Sequence, residues 1–166
     1  MYKRILAPID GSPPSMAGVA HAVRLAKDQQ ASLNFLHIVH DYVVADGRHG
    51  IVRYAELLKD LHEQGERILA DAVAVARNDD VPAEGTILEL PMGEVGAEIA
   101  AYADRWNADL IVIGTHGRRG IRRLVMGSDA EYVVRTTTRP VLLISSRDDR
   151  KGPGGDGRRG ALQAGQ

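Results

Sequence analysis

Apolar positions along this chain follow two alternating rhythms. Short runs of consecutive aliphatic residues are separated by longer stretches in which apolar side chains recur every three or four positions. The first run, residues 4–7, reads as a buried strand closed by Pro8 and by Asp10-Gly11-Ser12. Ser12 then stands where a helix N-cap belongs, with Pro13 at the first helical position, and Met16, Val19, Ala20, Val23 and Ala26 repeat at helical spacing. Residues 32–39 predict a second strand. Residues 40–52 hold Asp46-Gly47 and Gly50 without a period, so a loop is expected there. Leu57, Leu58, Leu61, Ile68, Leu69, Ala72, Val73 and Ala76 mark a long second helix that ends at residues 78–80, before Pro82.

The alternation continues. Residues 85–90 form a third strand stopped by Pro91 and Gly93, and Val95, Ile99, Tyr102, Ala103 and Trp106 make a third helical face. Residues 110–113 are apolar without alternation, as in parallel strands covered on both faces. Ser128-Asp129-Ala130-Glu131 has the form of a capping box and predicts the start of a fourth helix. Arg139-Pro140 breaks that helix, and Val141–Ile144 is a fifth strand. Residues 147–166, rich in Gly, Arg and Asp, have nothing to pack and are expected to be a disordered tail behind one domain of residues 1–146.

Strands alternating with helices imply an α/β fold: an open, five-stranded parallel sheet with right-handed crossovers and helices on both faces. Such sheets bind ligands beyond the carboxyl ends of their strands, where strand order reverses. Two of those ends carry unusual residues here. One is Pro8-Ile9-Asp10-Gly11-Ser12. The other is the glycine-rich stretch from Gly114 through Gly117 and Gly120 to Gly127-Ser128. Backbone without Cβ atoms can approach a phosphate chain closely, and a helix N-terminus offers free N–H groups to negative charge. If the two strands are neighbours, the two turns face each other across one crevice.

Composition narrows the reading. The chain has 166 residues, of which 44% are apolar and 26% charged, an ordinary globular balance. No apolar run approaches the roughly 20 residues that span a bilayer. The N-terminus does not resemble a signal peptide, because its apolar run ends at Pro8 and Asp10. Absence of cysteine excludes disulfides, thiolate metal sites and cysteine nucleophiles. A cytoplasmic protein is expected. The net charge of −1 argues against attraction of the whole molecule to nucleic acid. Arg118, Arg119, Arg122 and Arg123 nevertheless make the glycine loop locally basic, and their forked donors match phosphate oxygens. A solvated surface loop is the alternative.

The chain carries no Walker A lysine, serine elbow or His-Glu-x-x-His pattern. Phosphoryl transfer needs a group that orients the nucleophile, and none stands out, so binding with little or slow hydrolysis is expected and no catalytic residue is assigned. His37 and His40, three apart in a strand, point to opposite faces and make a poor chelate; no metal site is expected. RNA binding is not favoured, because no aromatic residues interleave with the arginines.

At this point the residues resemble the universal stress proteins. ATP-binding members carry Gly-x-x-Gly, nine residues, then Gly-Ser or Gly-Thr; this chain has Gly114-Thr-His-Gly117 and then Gly127-Ser128 at that spacing. The first strand through Asp10-Gly11-Ser12 and the segment Thr138–Ile144 are also similar to the family's pattern. The resemblance implies an adenine-nucleotide-hydrolase-like sheet of order 3-2-1-4-5, a homodimer through the last strand (Val141–Ile144), and a role in stress survival. It implies ATP, or ADP or AMP, as ligand, with Mg2+ accompanying the nucleotide. Pro8, Ile9, Asp10 and Ser12 would meet the nucleoside end. Ile38 would line the adenine pocket. Ile113, Gly114, His116 and Gly117 would form the ribose and phosphate turn, and Gly127, Ser128, Asp129 and Ala130 the phosphate end. One departure stands out: Asp129 occupies a position that nucleotide-binding members usually fill with an apolar residue, and a carboxylate there would repel a triphosphate. A nucleotide-free protein-interaction module and a slow ATPase are the alternative functions.

Overall fold

The computed structural model describes residues 1–40, 51–115 and 126–145, with only the helical backbone for residues 51–55. Along these residues the chain runs β1 (Arg4–Pro8), α1 (Pro13–Gln29), β2 (Ser32–His40), α2 (Ile51–Asn78), β3 (Ala83–Leu90), α3 (Val95–Arg105), β4 (Leu110–Gly114), α4 (Ser128–Thr136) and β5 (Val141–Ile144). The strands form one parallel sheet of order β3-β2-β1-β4-β5. The fold class and the strand order are those expected.

Alternate residues of each strand feed two cores. Ile5, Ala7, Leu33, Phe35, Leu110 and Val112 face α1 and α2, where Val19, Val23, Leu69 and Ala72 meet them. Leu6, Leu36, Ile111 and Ile113 face α3 and α4, against Ile99, Ala103, Ala130 and Val133. Ile5 and Leu6 of the central strand are both fully buried, so apolar residues run consecutively there without alternation.

Two details depart from the sequence reading. The loop expected over 40–52 is shorter at both ends, because His40 closes β2 and α2 already begins at Ile51. Its first turns hold no cap signal and few apolar repeats, which hid the start. The capping box at Ser128 is not used. Gly127 is the N-cap, in extended conformation, and no side chain caps the helix. Glu131 faces Arg135 at 3.5 Å, although its N–H still accepts its place in the helix by donating to Gly127 O at 2.9 Å. The tail expected over 147–166 lies outside the described residues.

One polar cluster interrupts the α3 side of the sheet. The Nδ2 of Asn34, 1% exposed, shares its two N–H donors among Glu84 Oε1 (2.9 Å), Thr86 Oγ1 (3.0 Å) and Tyr102 OH (3.1 Å). Trp106 Nε1 donates to the same Glu84 oxygen at 3.0 Å, while the Arg4 guanidinium stacks 4.2 Å from the Trp106 ring. These bonds fasten edge strand β3 to β2 and α3.

Candidate functional site: a cleft at the carboxyl ends of β1 and β4

Strands β1 and β4 are hydrogen-bonded neighbours, with Ile5 opposite Leu110 and Leu6 opposite Ile111. Parallel pairing brings the two unusual turns to the same edge of the sheet. The start of the second turn rests on the residues that follow the first. A Cβ on Gly114 would stand 3.0 Å from the Pro14 carbonyl carbon and 3.1 Å from Ser15 N, so the end of β4 rests on the backbone of the first turn of α1. Only glycine lets the two backbones approach this closely.

The Pro8–Ser12 turn is pinned bond by bond. Ile9 N–H donates to Leu36 O at 2.8 Å, and Ile9 O accepts from the His37 ring at 2.8 Å. A carbonyl can only accept, so His37 Nδ1 carries a proton. Asp10 N–H donates to Ser15 Oγ at 3.1 Å. Asp10 Oδ1 accepts from Ser12 N–H at 2.9 Å and from Ser12 Oγ at 2.6 Å. Ser12 Oγ in turn accepts from Ser15 N–H at 3.4 Å, capping α1 as expected. The Asp10 carboxylate thus performs the turn-forming role, in an Asx arrangement with Ser12, at the end of a central strand. Gly11 has φ +79°, which glycine adopts without strain, and a Cβ there would lie 2.8 Å from Ile68 Cδ1 of α2.

Two main-chain bonds anchor the facing side. Thr115 N–H donates to Ile144 O at 2.8 Å, and Gly127 N–H donates back to Thr115 O at 2.7 Å. Gly127 brings no side chain to cap α4, so among the described residues the first-turn N–H groups are presented beyond the strand ends together with the positive end of the helix dipole. Such a terminus suits an anion.

Electrostatics oppose that suitability. The Asp129 carboxyl, in the first turn of α4, is held above its ordinary value chiefly by burial, then by the negative fields of Glu94 and Asp10; His40 and a hydrogen bond with the Ser128 side chain act the other way. Carboxylates from the end of β1, the N-cap of α3 and the start of α4 therefore converge. His40 Nε2 donates to Gly93 O at 3.0 Å and ties the end of β2 to the turn before α3. Among the described residues no group of three His, Asp or Glu side chains is arranged to hold a metal ion.

The sequence-predicted residues divide into four groups. Pro8, Asp10, Gly114, Gly127, Ser128 and Asp129 lie at the cleft, half-buried or exposed. Ile9, Ser12, Ile113 and Ala130 are 3–6% exposed, so their side chains pack inward and only their main chain is available to a ligand. Ile38 is half-buried and packs on the α3 side of the sheet. His116 and Gly117, with the four loop arginines, lie outside the described residues. Reasoning from sequence missed Ser15, His37, His40 and Glu94. The first three act on main-chain atoms, which no side-chain motif records.

The universal stress protein family profile matches residues 1–145. A universal stress protein of Methanocaldococcus jannaschii is 33% identical over 148 residues, covering 87% of this chain and 82% of its own length. Among solved structures, the universal stress protein UspA of Lactobacillus plantarum superposes with a TM-score of 0.75 at 26% identity, covering 86% of this chain and 97% of its own. An Archaeoglobus fulgidus universal stress protein in complex with dAMP gives 0.63 at 22% identity, over 86% and 98% of the two chains. An Arabidopsis thaliana family protein with AMP bound gives 0.63 at 14% identity, over 91% and 96%. The last two likenesses speak for the fold. The matched profile, the strand order and the paired turns lead to one conclusion: this chain belongs to the universal stress protein family.

Proposed function

We propose that the chain binds an adenine nucleotide in the cleft between Pro8–Ser12 and Gly114–Ser128, and that occupancy regulates its partners or its dimer in a cytoplasmic stress response. The observation that carries this reading is the seating of Gly114 on the backbone of Pro14 and Ser15, which sets a tight turn against an uncapped helix start. The adenine nucleotides bound by the Archaeoglobus and Arabidopsis proteins support the same ligand class. Asp10, Gly114 and the first-turn N–H groups of α4 would hold the nucleotide, ATP with its Mg2+ or a form with fewer phosphates. Turnover is not part of the proposal, because no described group is placed to orient an attacking water.

Homodimerisation is proposed through β5, an edge strand whose Leu142 and Leu143 are 38% and 37% exposed. Sedimentation of Leu143→Glu tests it: the variant should sediment as a monomer, and an unchanged dimer would reject this surface.

Mass spectrometry of small molecules released from the purified protein, with calorimetric titration by ATP, ADP and AMP, tests the ligand. Release of an adenine nucleotide, or saturable binding of one, is expected. A second reading, a nucleotide-free interaction module, draws on one observation, the convergence of Asp129 with Asp10 and Glu94 where phosphate charge would sit. Under that reading none of the three nucleotides binds.

A further inference from the structure

Pro8–Ser12 is not held by its own loop alone. The peptide unit between Ile9 and Asp10 is gripped at both ends: its C=O accepts from His37 Nδ1 at 2.8 Å, and its N–H donates to Ser15 Oγ at 3.1 Å. His37 and Ser15 are each 5% exposed, so water does not stand in for either bond. Behind His37 lies α2. A Cβ at Gly65 would come within 2.6 Å of His37 Cδ2 and 3.1 Å of Nε2, so the imidazole is wedged against the helix backbone. One turn further along α2, Ile68 reaches the underside of Gly11. Gly65 and Ile68 share a face of α2, and together they back the turn from the side of the sheet opposite α3 and α4.

We infer that His37 is a positioning residue for the cleft: it fixes the plane of the Ile9–Asp10 peptide, and with it the direction in which Asp10 leaves the sheet, using α2 as the support. This inference rests on the nucleotide reading for its ligand and on geometry for everything else. The ring suits this role because packing aims its Nδ1 donor at the Ile9 carbonyl. Holding a binding group in place before the ligand arrives lowers the ordering cost of binding.

The test uses the full-length protein and two probes, adenosine and AMP, well below the melting temperature. His37→Phe keeps the ring volume and removes the donor; His37→Gln restores a donor of similar reach. Affinity for both probes should fall about tenfold in the Phe variant, the expected scale for a buried carbonyl left without its donor, and should recover to within about threefold in the Gln variant. Amide exchange at Asp10 and Gly11, measured without ligand, should accelerate about tenfold in His37→Phe and return in His37→Gln. Ser15→Ala loosens the same peptide from its other end and should reproduce both effects, which keeps the test decisive if the Phe variant does not fold. Exchange rates equal to wild type in His37→Phe, or in Ser15→Ala, overturn the inference whatever the ligand. Normal affinity in a variant whose exchange has accelerated overturns it as well. Wild-type protein that binds neither probe rejects the nucleotide reading alone, and the exchange data then decide the positioning role.

Discussion

Two glycine-to-alanine changes that look alike on paper should move stability in opposite directions. Gly18 and Gly96 both lie in helices, and in each case alanine supplies the helix preference that glycine lacks, up to ~1 kcal/mol. At Gly18 the nearest atom to a new Cβ is Gly114 N at 3.9 Å, an ordinary contact, so the gain should appear almost in full. At Gly96 the new Cβ would lie 2.6 Å from Tyr132 Cβ and 2.9 Å from Asp129 O. Neither atom is the loose end of a side chain. Carbon–carbon contacts settle near ~3.5–4.0 Å, so the first turn of α4 must retreat by roughly 1 Å as a body. Overpacking of this kind costs about 1–3 kcal/mol, which exceeds the propensity gain. Gly96→Ala should therefore be destabilised by up to about 2 kcal/mol. The same displacement shifts the N–H groups of Ser128, Asp129 and Ala130 relative to Gly114 and Asp10. A hydrogen bond stretched by that much is lost, and nucleotide affinity should drop about tenfold or more. Urea unfolding reads the first effect as a shift of midpoint at constant slope, and calorimetric titration reads the second. If Gly96→Ala proves as stabilised as Gly18→Ala and binds normally, the α3–α4 contact yields freely, and the claim that it fixes the helix start is wrong.

Three further outcomes are expected. Ser12→Ala removes the α1 cap and the one bond that Asp10 Oδ1 accepts from the hydroxyl, and should cost about 1 kcal/mol or more in urea unfolding; no loss would mean that the cap bond at 3.4 Å carries no weight. Asp129 is raised above its ordinary value of 3.8 in the fold, so the folded chain holds that proton more tightly than the unfolded chain and loses stability as pH rises through the folded value. Asp129→Asn should therefore be more stable than wild type near neutrality, with the gap closing below about pH 4 in thermal melts; a less stable variant at pH 7 would reverse the assigned sign. Asn34→Asp places a buried carboxylate beside Glu84 Oε1, which Asn34 Nδ2 now meets at 2.9 Å, and should cost about 3 kcal/mol at neutral pH, with recovery in acid. Indifference of stability to this change would show that the cluster does not hold β3.

Periodicity carried most of the architecture, because burial imposes it directly. Residues such as Leu6 and Ile111 must be apolar to be fully enclosed, and α3 shows its buried stripe at Ile99 and Ala103. The start of α2 was illegible for the converse reason: its first turns carry no cap signal. Ser128 does open α4 as expected, but its capping role was misread because a local pattern was taken without its anchor. The bond from Gly127 N–H to Thr115 O sets where α4 begins, and that bond joins residues far apart in the motif. At the cleft, the two turns were legible as glycine, proline and aspartate at strand ends, whereas the supports behind them were not. His37 and Ser15 act on the main chain of Ile9 and Asp10, and a main-chain acceptor looks the same under every side chain. Asn34 was invisible likewise, since its partners come from β3 and α3.

The two walls of the cleft differ in how they can evolve. Asp10 and Ser12 shape one wall and also start α1, so a substitution that retunes that wall loosens a helix of the core in the same stroke. Thr115 and Gly127 hold the opposite wall through main-chain bonds that almost any sequence can form. Divergence in ligand preference among chains built this way should accumulate between those two residues, leaving the Asp10 side nearly invariant.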